Sequence, residues 1–149
     1  MFTIKQINFN EICAIWRIDL WKDRKKIKPV SDMIYLGGYD SSIRVKYIPT
    51  FFACIIEDSI VGVNSCHKTS DYQMRSRGLW VNPNFRRRGI TKHLFKECFK
   101  KAIEEGCKTM WSLPRKTSIK AYEASGFVIK SDWIKTETSD NNCYVEKQL

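Results

Sequence analysis

The sequence predicts a mixed β-sheet flanked by helices, an α/β or α+β arrangement in one domain over residues 1–149. Three observations predict it. Short alternating or wholly apolar runs recur along the chain, as strands require. One long stretch, opening at Ile90, has the apolar spacing of a helix face. No internal repeat or low-complexity linker interrupts the 149 residues, a length with room for one real core.

The elements follow in order. Phe2 to Ile7 alternates like an edge strand and lacks the pattern of a signal peptide. Asn8 or Asn10 can cap a helix holding Ile12, Ile15, Trp16 and Leu20. Residues 22–50 are basic and broken by Pro29, the Gly37-Gly38 pair and Pro49, with a second short helix expected around Ser31 to Leu36. Phe51 to Ile56 and Ile60 to His67 read as a hairpin around Glu57-Asp58-Ser59, and another strand spans Met74 to Val81. In the helix from Ile90, residues Leu94, Phe95, Cys98, Phe99, Ala102 and Ile103 share one face, charged residues fill the other, and Gly106 stops it. Strands at Lys108 to Leu113, Phe127 to Trp133 and Asn142 to Lys147 complete a sheet of about six to seven strands. The last of them is taken as a free edge, which permits a homodimer.

Composition narrows the classes of function. No stretch approaches the roughly 20 apolar residues of a membrane span. The six cysteines form no CxxC pair and only two histidines exist, so no zinc site is expected. The cysteines read as free thiols of a reducing cytoplasm. The net charge of +10 suits a polyanionic ligand. Its densest run, Lys22 to Lys28, carries no recognised nucleic-acid motif, and it argues against a polycationic substrate passing it.

The most informative stretch is Leu79-Trp80-Val81-Asn82-Pro83-Asn84-Phe85-Arg86-Arg87-Arg88-Gly89-Ile90-Thr91. It reads as a strand, a turn with three arginines and a glycine, and the start of a helix. A helix N-terminus offers free N–H groups and the positive end of the dipole, the glycine admits a close approach, and the arginines add charged forks. The inference is a pyrophosphate-binding turn.

This segment resembles the acetyl-CoA motif of the GNAT-superfamily N-acetyltransferases, a strand with V-x-P and then Q/R-x-x-G-x-G/A opening a helix. Val81-Asn82-Pro83, Arg86 and Gly89 match it, and Thr91 stands where Gly or Ala is usual. A second block, Arg115 to Phe127, is similar to the family's N-x-x-A-I-x-L-Y-E-K-x-G-F. There Ile119, Tyr122, Glu123, Gly126 and Phe127 coincide, while Arg115 replaces the Asn and Ser118 the first Ala. Thr117 or Ser118 can cap the helix of this block.

The resemblance implies a twisted sheet splayed between its fourth and fifth strands, with acetyl-CoA as acyl donor in the cleft. It implies transfer of the acetyl group directly to a primary amine of a small molecule or protein. The N–H groups of Arg87, Arg88, Gly89, Ile90 and Thr91 would hold the pyrophosphate beside Arg86. Backbone N–H groups at Leu79, Trp80 or Val81, with Val81 preferred, would face the thioester oxygen. Tyr122 stands at the general-acid position, with Arg115 and Ser118 near the pantetheine arm. The base is open between His67, Asp71 and water. Trp21, Tyr35, Tyr39 and Asp40 fall where an acceptor pocket is formed, Asp40 as a partner for a cationic amine and the rings as its walls. Two other readings stand beside this one: a non-catalytic acyl-CoA-binding module of the same fold, and a basic nucleic-acid-binding domain.

Overall fold

A computed structural model describes residues 1–136 and 139–149. Seven strands form one sheet: β1 (Thr3–Ile7), β2 (Thr50–Ile56), β3 (Ser59–Ser70), β4 (Gln73–Val81), β5 (Thr109–Ser112), β6 (Val128–Ile129) and β9 (Val145–Gln148). Their order is β1-β2-β3-β4-β5-β9-β6. β4 and β5 run parallel and every other neighbouring pair is antiparallel. β7 (Ile134–Thr136) and β8 (Ser139–Asn142) pair as a separate ribbon.

Both faces of the sheet are covered, and the strand sequences say so. β2 reads Thr-Phe-Phe-Ala-Cys-Ile-Ile, an apolar run rather than an alternating one. Its Phe52 and Cys54 enter the core under helix α3 (Ile90–Glu104), with Leu94, Phe95 and Cys98. Phe51 and Ala53 point the other way, to a core around Ile12 and Trp16. Those two belong to α1 (Phe9–Ile15) and the turn after it. Asn8 and Glu11 close a reciprocal capping box at the start of α1, so Asn8 rather than Asn10 is the cap. At residues 16–20 the helix widens into a π-turn, with the Trp21 N–H donating to the Trp16 carbonyl five residues back at 2.6 Å.

Four local expectations are corrected. The helix expected over residues 31–36 is absent, because Leu36, Gly37 and Gly38 all take positive φ. The short helix lies later, as α2 (Ile43–Lys46). The strand expected over 127–133 shrinks to β6: Ser131 Oγ accepts the Tyr144 N–H at 2.9 Å and the chain then leaves the sheet. The strand expected over 142–147 begins at Val145 and lies between β5 and β6, so its backbone is paired on both sides. The free edge on which a homodimer was argued therefore does not exist there; the edges of the sheet are β1 and β6. The block helix α4 (Ile119–Ala124) starts without a side-chain cap, since a 3₁₀ turn at Lys116–Ser118 leads into it.

The feature that makes a site is the parting of β4 from β5. The two pair only at residues 73–75, and β4 then runs on to Val81 without β5 beside it. On its other side β4 bulges: Val63 faces Trp80 and Ser65 faces Arg77, so Gly78 and Leu79 together oppose Asn64. Gly78 takes φ +79°, and a Cβ there would lie 2.4 Å from the Trp16 ring. The indole Nε1 instead donates to the Gly78 carbonyl at 2.8 Å.

Candidate active site

The parted strands open a cleft of about 1150 Å³. Gly78 and Leu79 of β4 wall one side, and Arg115, Ser118 and Tyr122 the other. The second sequence block thus supplies three residues to this space, and the first supplies Leu79 alone. Trp80 and Val81 lie further along the strand, half-buried on opposite faces: Trp80 packs on the α1 core and Val81 on the α3 core.

The arginine turn stands past the end of β4, at the start of α3, and does not line that cleft. A parallel β4–α3–β5 connection sets the helix N-terminus at the carboxyl end of the strand, the place where such folds take phosphates. Arg86, Arg87, Arg88 and Gly89 are exposed, Thr91 is half-buried, and Ile90 anchors the helix in the core. Gly89 is the N-cap at φ +78°, Arg87 is also left-handed at φ +63°, and Arg88 between them is not. Alternating hands in successive residues turn their N–H groups toward one concavity. No side chain caps α3, which leaves its first amides for a ligand. The turn therefore fits a pyrophosphate.

Tyr122 is buried under α3, edge-on to Phe95 at 5.0 Å, with its hydroxyl 3.4 Å from Ser112 Oγ. Ser112 Oγ in turn donates to the Ser76 carbonyl at 2.7 Å, at the point where the strands part. Burial pushes the Tyr122 phenol above its usual value, against the bond from Ser112 and the charge of Arg75. It therefore stays protonated at neutral pH and presents a donor.

The candidates for base and acceptor pocket are mostly elsewhere. His67 is fully buried within β3, outside the cleft wall, with Nδ1 at 3.2 Å from the Lys68 carbonyl. Burial, then the charge of Arg75, lowers it to about 3, too weak a base to take an ammonium proton. The strand expected to end at His67 runs on to Ser70, which encloses the ring. Asp71 accepts the Tyr47 hydroxyl at 2.9 Å in the β3–β4 turn, away from the cleft. Asp40 is spent on Ser42, taking its N–H at 2.9 Å and its hydroxyl at 2.6 Å. Tyr35 packs on Trp111, whereas Trp21 and Tyr39 do line the cleft.

Two side chains on the cleft wall went unremarked in the sequence reading: Arg75 and Arg77. Both are buried, and as alternate residues of β4 they share a face. Arg77 stacks on Trp16 and Trp21 with its guanidinium carbon 5.2 and 4.9 Å from the rings. Its Nη1 donates to the Lys28 carbonyl at 2.8 Å. Arg75 lies 4.9 Å from the Trp111 ring. The available signal is two charges on the same face of a strand, at alternate positions 75 and 77. The basic run 22–28 supplies more of the same wall, with Arg24 over the Trp21 ring at 3.8 Å.

Among the described residues no helix is long and apolar enough to cross a membrane, and no group of His, Cys, Asp and Glu could hold a metal ion. All six cysteines are free.

Comparison with known proteins agrees with this geometry. The model of the acetyltransferase (GNAT) family matches residues 14–127. No protein of curated function matches the sequence. Among solved structures, an IAA acetyltransferase from Bacillus cereus superposes with a TM-score of 0.72 at 14% identity, covering 100% of both chains. A GNAT family acetyltransferase from Elizabethkingia anophelis with acetyl-CoA bound gives 0.64 at 13% identity, over 99% of this chain and 98% of its own. An aminoglycoside 6'-N-acetyltransferase complexed with coenzyme A gives 0.71 at 12% identity, over 98% and 96%. At such identities the likeness speaks for the fold, and the family model speaks for descent. With both in agreement over most of its length, the chain belongs to the acetyltransferase (GNAT) family, whose common reaction is acyl transfer from acetyl-CoA.

Proposed function

We propose that this protein is a cytoplasmic N-acetyltransferase of one domain, carrying acetyl from acetyl-CoA directly to a primary amine of a small molecule or protein. The observation that carries the reading is the parted β4–β5 pair, whose cleft is lined by the bulge at Gly78 and Leu79 and by Tyr122. When bound, acetyl-CoA supplies an activated thioester there. The residues at 87–91, with Arg86, are suited to its pyrophosphate, and Arg115 and Ser118 to its arm. The strand backbone at residues 79–81, with Val81 favoured, offers N–H donors to a carbonyl oxygen as charge grows on it. Tyr122 offers a hydrogen bond to the departing sulfur. Burial raises the phenol further above a thiol, already the stronger acid, so Tyr122 cannot give its proton outright to the thiolate, and donation without full transfer is the role proposed.

The amine must be neutral to attack. Asp23 is exposed and Asp32 is paired with Arg44 at 3.3 Å, so neither wall carboxylate is placed as a base. The surrounding guanidiniums disfavour an ammonium and lower its pKa. Water can then take the proton.

Calorimetric titration with acetyl-CoA tests the reading, beside a variant carrying Arg86→Ala and Gly89→Glu. Micromolar binding by the wild type and none by the variant is expected, followed by thiol release when an amine is added. Binding without turnover across a broad amine panel favours the non-catalytic module, and no binding at all defeats both.

A further inference from the structure

We propose that the acceptor is a small amine that also bears an acid group, a carboxylate or a phosphate, seated on Arg75 and Arg77. The proposal rests on the acetyltransferase reading above and names its substrate class.

A buried cation is costly unless it is paired. Arg75 is 8% exposed, and its Nε and Nη1 have no hydrogen-bond partner. Arg77 is 7% exposed and is satisfied at Nη1 by one carbonyl, with no carboxylate. The ion pairs among the described residues are Arg44 with Asp32 and Lys130 with Glu146, and neither involves these arginines. Burial lowers both guanidiniums, Arg75 to about 10 and Arg77 to about 9, with Arg24 adding to the effect on each. They remain cations at neutral pH, close together and short of counter-charge. Both line the cleft, so a ligand entering it meets them.

Their position in the strand fixes which ligand this is. Arg77 directly precedes the bulge at Gly78 and Leu79, so an acid held here lies on the cleft side of Leu79, the near end of the backbone proposed to face the reacting carbonyl. The pyrophosphate turn is elsewhere. From residues 75–77 to Val81 the strand alone extends roughly 13–20 Å, and the turn has three arginines of its own. An acceptor bringing an anion would neutralise what the fold leaves unpaired. A planar guanidinium suits carboxylate and phosphate alike. The rings of Trp16 and Trp21 hold Arg77 rigid, so little freedom remains to be lost on binding.

The test is a matched-pair screen at saturating acetyl-CoA. Each common amino acid is compared with its amide and its decarboxylated amine, phosphoethanolamine with ethanolamine, and a short acidic peptide is included. The acid-bearing member of the best pair should show kcat/KM at least about tenfold above its neutral partner, as a charged hydrogen bond implies. The two kinds of pair separate carboxylate from phosphate. Arg75→Met should raise KM for that acceptor and erase the preference, with KM for acetyl-CoA unchanged. Arg77→Lys, which keeps the charge but loses the fork, should reduce the preference in part.

Neutral amines used as well as or better than acids, or the peptide alone used, would overturn the proposal. So would an acid preference that survives both substitutions. If no amine turns over while acetyl-CoA binds, the enzymatic reading has failed. Calorimetry of the CoA-loaded protein with the same acids then decides the site: binding lost in Arg75→Met upholds it, and no binding overturns it.

Discussion

Gly78 and Tyr122 show how single residues bear on the site. Gly78 makes three demands at once: a positive φ, room for the Trp16 ring, and a carbonyl for its indole. Alanine meets none of the first two, since its Cβ would stand 2.4 Å from an aromatic carbon. Overpacking together with a left-handed non-glycine residue should cost about 2–4 kcal/mol, read by urea denaturation. The surviving folded protein should lose turnover too, because the bulge is what turns the backbone to the cleft. Tyr122→Phe makes a cleaner cut. The ring keeps its packing on Phe95 and Phe127, and only the hydroxyl goes. Turnover should fall more than tenfold, with acetyl-CoA affinity nearly unchanged by calorimetry. Equal turnover would remove Tyr122 from the mechanism. The tyrosine was legible from its block, whereas Gly78 offered only the hint of a glycine inside a strand.

At the scale of elements, the start of α3 separates two roles that one glycine could have. The space beside Gly89 is open, with the nearest atom, in His93, 3.9 Å from a Cβ placed there. What the position requires is the backbone angle of +78°. Gly89→Ala should therefore lower stability by about 1–2 kcal/mol while acetyl-CoA still binds. Gly89→Glu adds to that strain an anion where phosphates are to sit, and binding should be lost. A thermal melt and a titration on the same two proteins distinguish strain from charge. The helix itself was plain in the sequence, from its apolar face to the Gly106 stop, because one long amphipathic period depends on little outside itself; Ile103, assigned to that face, is instead exposed. β6 and the segment at 31–36 were misread for the opposite reason. Their apolar residues are short runs whose fate is set by turns and by partners distant in the chain, such as Tyr144 for Ser131.

The whole molecule determines how pH acts on stability. His67 sits between covered faces of the sheet and near Arg75, and it titrates at about 3 when folded. In the unfolded chain it takes its proton near the ordinary value of about 6.5. Between those values the unfolded state binds more protons, so stability is fully present above pH 6.5 and falls as the pH drops toward 3. From pH 6.5 to pH 5 this group alone should remove about 1.5 kcal/mol, the slope approaching about 1.4 kcal/mol per unit only once the unfolded imidazole is fully protonated. Denaturant melts at the two pH values should show the loss, and His67→Gln should lessen it. The sequence by itself carried the family resemblance, the long helix and the two blocks from which the phosphate turn and the role of Tyr122 are proposed, because each is written in a contiguous motif whose chemistry is local. The tertiary structure alone decided the rest. It buried His67, enclosed the last strand within the sheet, and turned Arg75 and Arg77 into a basic cleft wall with no carboxylate partner for either. Burial and charge pairing are properties of neighbours brought together by folding, and no local pattern carries them.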